Sequence, residues 1–133
     1  MTLALSIRQP WASLILLAGK DIENRNWATG VRGPILIHAA KRMTRTEYID
    51  AMNFAKRHVR QDLLPLLASD VFRFDNLPRG GIIGSSILRD CVGQCGSPWF
   101  QGEFGFLLGG HKLLRFHPCK GQLGFFDVPD VLP

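Results

Sequence analysis

Cysteine is scarce. Cys91, Cys95 and Cys119 are odd in number and irregular in spacing, so they do not form a disulfide framework, and a reducing, cytoplasmic location is expected. Long apolar runs are missing too. The longest, Leu14 to Ala18, falls far short of the roughly 20 residues a spanning helix needs, so no membrane association is expected. The first residues lack the basic and apolar regions of a secretory leader, and none is expected. Linkers, repeats, low-complexity tracts and charge blocks are absent, which points to one domain over residues 1–133. There is no Walker loop, dinucleotide fingerprint, Gly-x-Ser-x-Gly elbow or His-Glu-x-x-His pair, which removes the standard signatures of P-loop, nicotinamide, α/β-hydrolase and zincin chemistry. Cys91-x3-Cys95 with His111, His117 and Cys119 downstream is a weak zinc pattern, because its members fall on different expected elements. They read as small thiols and ordinary histidines, so neither metal nor cofactor is expected.

What is present suffices for a core. Hydrophobic residues make up 46% of the chain and charged residues 20%, with a mean hydropathy of +0.05. The formal charge is +5. It is unevenly spread: residues 1–62 hold ten Lys/Arg against five Asp/Glu, and residues 63–133 hold six of each. A basic half-chain suits a polyanionic partner, and it equally suits solubility.

Taken in order, Leu3 to Arg8 alternates as a first strand. Pro10 opens a short helix over Trp11 to Ala18, apolar nearly all round and therefore buried, with Gly19 as its left-handed terminator. Ile22 to Trp27 forms a second strand, placing Glu23, Arg25 and Trp27 on one face. Pro34 to Ala40 is apolar on both faces and so central. Thr44 and Glu47 form a capping box for a helix running to about Gln61, with Tyr48, Ala51, Met52, Ala55 and Val59 as its inward stripe. Leu63 to Leu67 extends it past Pro65, and Phe72 to Pro78 is loop. Ile82 to Leu88 and Phe104 to Leu108 are strands. Gly109-Gly110 is a hairpin-type turn into another strand, Lys112 to Phe116, and Gly121 to Phe126 is a last short element. The expected fold class is α+β: a small β-barrel of about five to six strands with flanking helices.

The chemistry concentrates between Leu5 and Ala40. Lys20, Glu23 and Arg25 bring an amine, a carboxylate and a guanidinium together. Arg25 can grip a phosphate or carboxylate, Glu23 can accept from a base edge or activate water, and Lys20 can serve as a base if its proton is held loosely. The plain alternative is a surface ion-pair cluster. Arg8 and Gln9 precede a helix N-terminus, and Trp11, Trp27 and Trp99 offer faces on which a base can stack, or else belong to the core. His38, on the central strand, is a core histidine unless it faces the Lys20–Arg25 region.

Ser6-Ile7-Arg8-Gln9-Pro10-Trp11-Ala12 is similar to the opening block of the ASCH (activating signal cointegrator homology) family, and Gly19-Lys20-x-x-Glu23-x-Arg25 resembles its Gly-x-Lys-x-x-x-x-Arg signature. Arg32 to Ala39, Gly81 to Gly84, Ser97 to Phe100 and Cys119 to Phe126 resemble later blocks, in the same order. The resemblance implies a PUA-like barrel with a cleft beside the first helix. It implies RNA, single-stranded nucleic acid or a modified nucleoside as ligand, held by Lys20 and Arg25 with Arg8, Gln9, Trp11, Trp27, His38 and Trp99 around them. Some small members deacylate N4-acetylcytidine with a Lys, a Thr and a Glu, and others are reported as ribonucleases. Lys20 matches that lysine, and Glu23 stands where the threonine would be. Two functions follow as expectations: a nucleic-acid reader, or a hydrolase in which Lys20 and Glu23 are catalytic.

Overall fold

The computed structural model describes residues 2–133. Six strands form one mixed sheet: β1 Leu3–Ile7, β2 Ile22–Arg25, β3 Gly33–Ala39, β4 Gly81–Val92, β5 Phe104–Pro118 and β6 Phe125–Asp127. Their order is β2-β5-β4-β3-β1-β6, antiparallel throughout except for the parallel β1–β3 pair. The sheet curls into a half-barrel, so its outer strands approach each other. The Trp27 ring, just past β2, meets Phe106 edge-on at 5.2 Å and Phe125 of β6 at 5.9 Å. This is the α+β, PUA-like architecture expected.

Helix α1 (Trp11–Leu17) plugs the curl. Ala12 and Ile15 face the barrel interior with Leu5, Ile7, Ile35, Ile37 and Phe106. Leu14 and Ala18 face the opposite way, onto Met52 and Ala55 of α2 (Arg45–His58) and onto Leu67 of α3 (Leu64–Leu67). Being apolar all round, α1 is buried on both sides, and each fully buried Leu or Ile contributes about 2 kcal/mol. A third cluster, with Leu36, Ile82, Phe126 and Val128, seals the outer face of the sheet.

The α2 capping box forms as expected: Thr44 Oγ1 accepts from Glu47 N at 3.1 Å, and Glu47 Oε1 accepts from Thr44 N at 3.0 Å. The helix ends at His58, earlier than expected, because Val59 turns extended. Strand β2 stops at Arg25, short of Trp27. The stretch expected as loop, Phe72 to Pro78, holds a short 3-10 turn at Phe74–Asn76 and is preceded by another, Asp70–Phe72, whose last residue, Phe72, is fully buried. The largest departure is at Gly109-Gly110, where the chain does not reverse. β5 runs straight through and its register against β4 shifts, Ser85 facing Lys112 and Ile87 facing Gly109. Gly110 takes a left-handed φ of 56°, as a glycine bulge requires, and Gly109 does not, whereas a two-residue hairpin turn of either common type needs positive φ at its first central residue, Gly109.

Candidate functional site

Gly19, at φ 75°, reverses the chain after α1, and Lys20 N closes back onto Leu14 O at 3.2 Å. This turn sends the Lys20 side chain inward. Lys20 is 2% exposed, its Nζ donates to Ile22 O, and it lies 5.4 Å from the centre of the Trp11 ring. Burial pushes its amine below the ordinary value of 10.5; Glu23 opposes that push, and the charge on Arg25 adds to it.

Glu23 and Arg25 share one face of β2, and Lys20 and Arg25 converge on the Glu23 carboxylate. Lys20 Nζ stands 3.5 Å from Glu23 Oε1, and Arg25 Nε donates to Glu23 Oε2 at 2.9 Å. Arg25 Nη2 also donates to Ser6 O of β1 at 2.8 Å, so the guanidinium ties one end of the curled sheet to the other. This is no flat surface cluster: Glu23 is 7% exposed. It lines two clefts at once. One, of about 190 Å³, is walled by Trp11, Lys20, Asn24, Phe54 and Gln101. The other, of about 510 Å³, holds Ser6, Arg8, Trp11, Arg25 and Asn26. Trp11 is half-buried and lines both. Arg8 is exposed and paired with Glu47 of α2.

The remaining expected residues lie elsewhere. Gln9 is buried and its amide is occupied by the fold: Oε1 accepts from Ser13 N at 3.0 Å, and Nε2 donates to Ser13 Oγ at 2.8 Å and Pro78 O at 2.9 Å. It caps α1 from outside the helix. Trp27 packs against Phe106 and Phe125, with the Arg25 guanidinium 6.0 Å from its ring. Trp99 is in the core near Phe54 and His58, 4% exposed, so the aromatic wall of the site is Trp11 and Phe54. His38 is 1% exposed and lines neither of these clefts; its Nε2 donates to Cys119 O at 2.8 Å and its Nδ1 lies 2.9 Å from Ser6 Oγ. It fastens the 119–121 segment, where Gly121 sits so close that a Cβ would be 2.8 Å from the His38 ring.

Sequence reasoning passed over Asn24. Its Nδ2 donates to Trp99 O at 2.9 Å and its Oδ1 accepts from Gln101 N at 2.8 Å, which pins the 97–101 loop against the smaller cleft. Its place between Glu23 and Arg25, on the opposite strand face, was the available signal. It also passed over Phe54, which lies outside the inward stripe assigned to α2. Among the described residues, no group of His, Cys, Asp and Glu is arranged to hold a metal. A separate apolar cavity of about 380 Å³, beyond α1 between Leu16, Leu17, Val71, Leu113 and Phe116, has no titratable side chain in its lining.

Compared with known proteins, residues 5–104 match the sequence model of the ASCH domain. The chain is similar to activating signal cointegrator 1 of Homo sapiens, 31% identical over 90 residues, 68% of this chain and 14% of that protein. It is also 31% identical over 100 residues to activating signal cointegrator 1 of Mus musculus, 75% of this chain and 16% of that protein. The chain therefore spans a small fraction of the length of these relatives.

Proposed function

The chain belongs to the ASCH domain family, and from that premise we propose that it binds RNA, or another single-stranded nucleic acid, in the paired clefts beside α1. The observation that carries this reading is Glu23 held between Lys20 and Arg25 and lining, with Trp11, two clefts at once. A nucleobase against Trp11 and Phe54 finds a stacking surface and, on Glu23, an acceptor for an exocyclic amino group. Arg8 and Arg25 face the larger cleft and meet a phosphate or sugar. The neutralised carboxylate keeps the site from repelling a polyanion. The three free thiols accord with a reducing compartment, and we place the activity in the cytoplasm.

One observation favours a second reading, hydrolysis of an acylated nucleoside such as N4-acetylcytidine. Lys20 is a buried amine with a loosened proton, beside a carboxylate on a small cleft. In its neutral form an amine of that kind can take a proton from water as the water oxygen bonds to the acyl carbon, and the resulting ammonium can pass that proton to the leaving nitrogen as the C–N bond breaks, with the Glu23 carboxylate accepting from and orienting the water.

One experiment separates the readings. Fluorescence anisotropy with a labelled single-stranded RNA hexamer is expected to show binding that weakens as salt rises. Lys20→Ala and Arg25→Ala, checked for folding by circular dichroism, are each expected to weaken it about tenfold. Binding indifferent to both substitutions rejects the site. Incubating the same protein with N4-acetylcytidine and resolving the products by chromatography tests turnover. Cytidine release that vanishes in Lys20→Ala establishes the second reading in place of the first.

A further inference from the structure

Strands β1, β3 and β5 run in the same direction and finish on one line. Ile7 pairs with Ala39, Ala39 with Gly81, and Gly81 with Pro118, a single row of residues across the end of the sheet. Ala40 N to Ile7 O at 2.9 Å, Gly80 N to Ala39 O at 2.7 Å and Cys119 N to Gly80 O at 3.2 Å close that edge. Immediately past the row the chain places cations: Arg8 after β1, Lys41 and Arg42 after β3, and Lys120 after β5. Residues far apart in sequence are thereby brought to the rim of one cleft of about 770 Å³, larger than either part of the site beside Glu23. All four are exposed, and no acidic side chain lines this cleft among the described residues. Arg8 and Ser6 line both this cleft and the Arg25 cleft, so the two are continuous.

We propose that this strand-end cleft is a phosphate subsite, formed by Lys41, Arg42, Lys120 and Arg8, which takes a phosphate of the strand whose base lies beside Glu23. The proposal rests on the nucleic-acid reading above and makes the ligand a phosphorylated chain rather than a free nucleoside. Four cations around a cleft with no acidic lining favour a phosphate, and continuity with the base site sets it next to the base.

Arg8 is the adjustable member. Its guanidinium is paired with Glu47 Oε2, on α2. A phosphate in the cleft competes with that carboxylate for the same donors. Glu47→Gln tests this without disturbing the helix, because glutamine still serves in a capping box and Oε1 still accepts from Thr44 N. The amide that replaces Oε2 turns a donor toward Arg8 and releases it.

The test is anisotropy with two labelled RNA hexamers, one carrying a 5′-phosphate and one a 5′-hydroxyl. The combined Lys41→Ala, Arg42→Ala, Lys120→Ala variant is expected to bind about tenfold more weakly, with a salt slope flatter by about 0.7 for each phosphate the protein no longer neutralises. Glu47→Gln is expected to bind about threefold more tightly, and adding Arg8→Ala to it removes the gain. Dependence seen only with the 5′-phosphate assigns a terminal phosphate, and equal dependence with both assigns an internal phosphodiester. Wild-type affinity and slope in the triple variant, in a protein that still loses binding on Arg25→Ala, overturn the subsite and leave the base site standing. A wild-type protein that binds neither hexamer overturns both.

Discussion

Lys20 shows how far a single residue can be read from its neighbours in sequence. Proximity to Arg25 was legible, and it is a lesser influence on the amine. The larger one is burial, which depends on Gly19 turning the chain and on Trp11 covering the side chain. The turn at Gly19 was legible; that it carries Lys20 under the Trp11 ring was not. The consequence for stability has a definite sign. Folded, the amine gives up its proton below its ordinary value of 10.5; unfolded, it titrates at that value. Between the two the unfolded chain holds more protons, so Lys20 makes stability rise as pH climbs through that window. Lys20→Met fills similar space without titrating. Urea denaturation of both proteins at a series of pH values up to 10.5 is expected to show wild-type gaining on Lys20→Met once the amine of the folded protein deprotonates. A difference that stays constant across the range contradicts the assignment of Lys20 as a charge held in the interior at a cost.

At the scale of elements, legibility depended on whether one segment decided the outcome. The first strand, α1 with its glycine terminator and the α2 capping box are local arrangements, and they were readable. Gly109-Gly110 was not: a hairpin turn and a glycine bulge use the same dipeptide, and only the partner strand selects between them. β4 extends to Val92, long enough for β5 to remain paired beyond the glycines, and the bulge absorbs the mismatch. Another glycine sets the seat of α1. At Gly84 on β4, a Cβ would lie 2.5 Å from Leu16 Cδ1 and 2.6 Å from Lys112 O. The leucine side chain can rotate away, but the carbonyl belongs to the neighbouring strand and cannot. Gly84→Ala is therefore expected to cost about 2 kcal/mol, seen as a lower urea midpoint with an unchanged slope. A midpoint equal to wild-type means that α1 is not seated on the sheet through this glycine.

On the scale of the whole molecule, the sequence pattern supplied strands, helices and a basic half, but not the curl that makes a site of them. Glu23 and Arg25 were expected on one face, and they are. That Arg25 also reaches Ser6 O depends on the first strand of the order, β2, meeting the last but one, β1, which no local pattern encodes. The same closure brings Trp27 to Phe125 and sets Arg8 beside Glu23's cleft. Arg25 is then a seam as well as a ligand-binding group, and the two roles have separate signatures. A guanidinium can hold Glu23 Oε2 and Ser6 O together because its donors form a fixed planar fork; an ammonium on a shorter stem cannot satisfy both. Arg25→Lys preserves the charge but leaves one of the two hydrogen bonds unmade, at a cost of about 1.5 kcal/mol. The loss falls on one part of the sheet. β1 and β6 meet only each other and β3, whereas β4 and β5 are zipped along most of their length. Hydrogen exchange in Arg25→Lys is expected to quicken at the amides of β1 and β6 while the β4–β5 ladder keeps its protection. Uniform acceleration would mean only global destabilisation, and unchanged exchange would mean that the barrel closes without Arg25. Selective loss at β1 and β6 ties the signature arginine to the shape of the cleft, so that weakened binding in Arg25→Ala reflects a displaced Arg8 and Ser6 as well as a missing guanidinium.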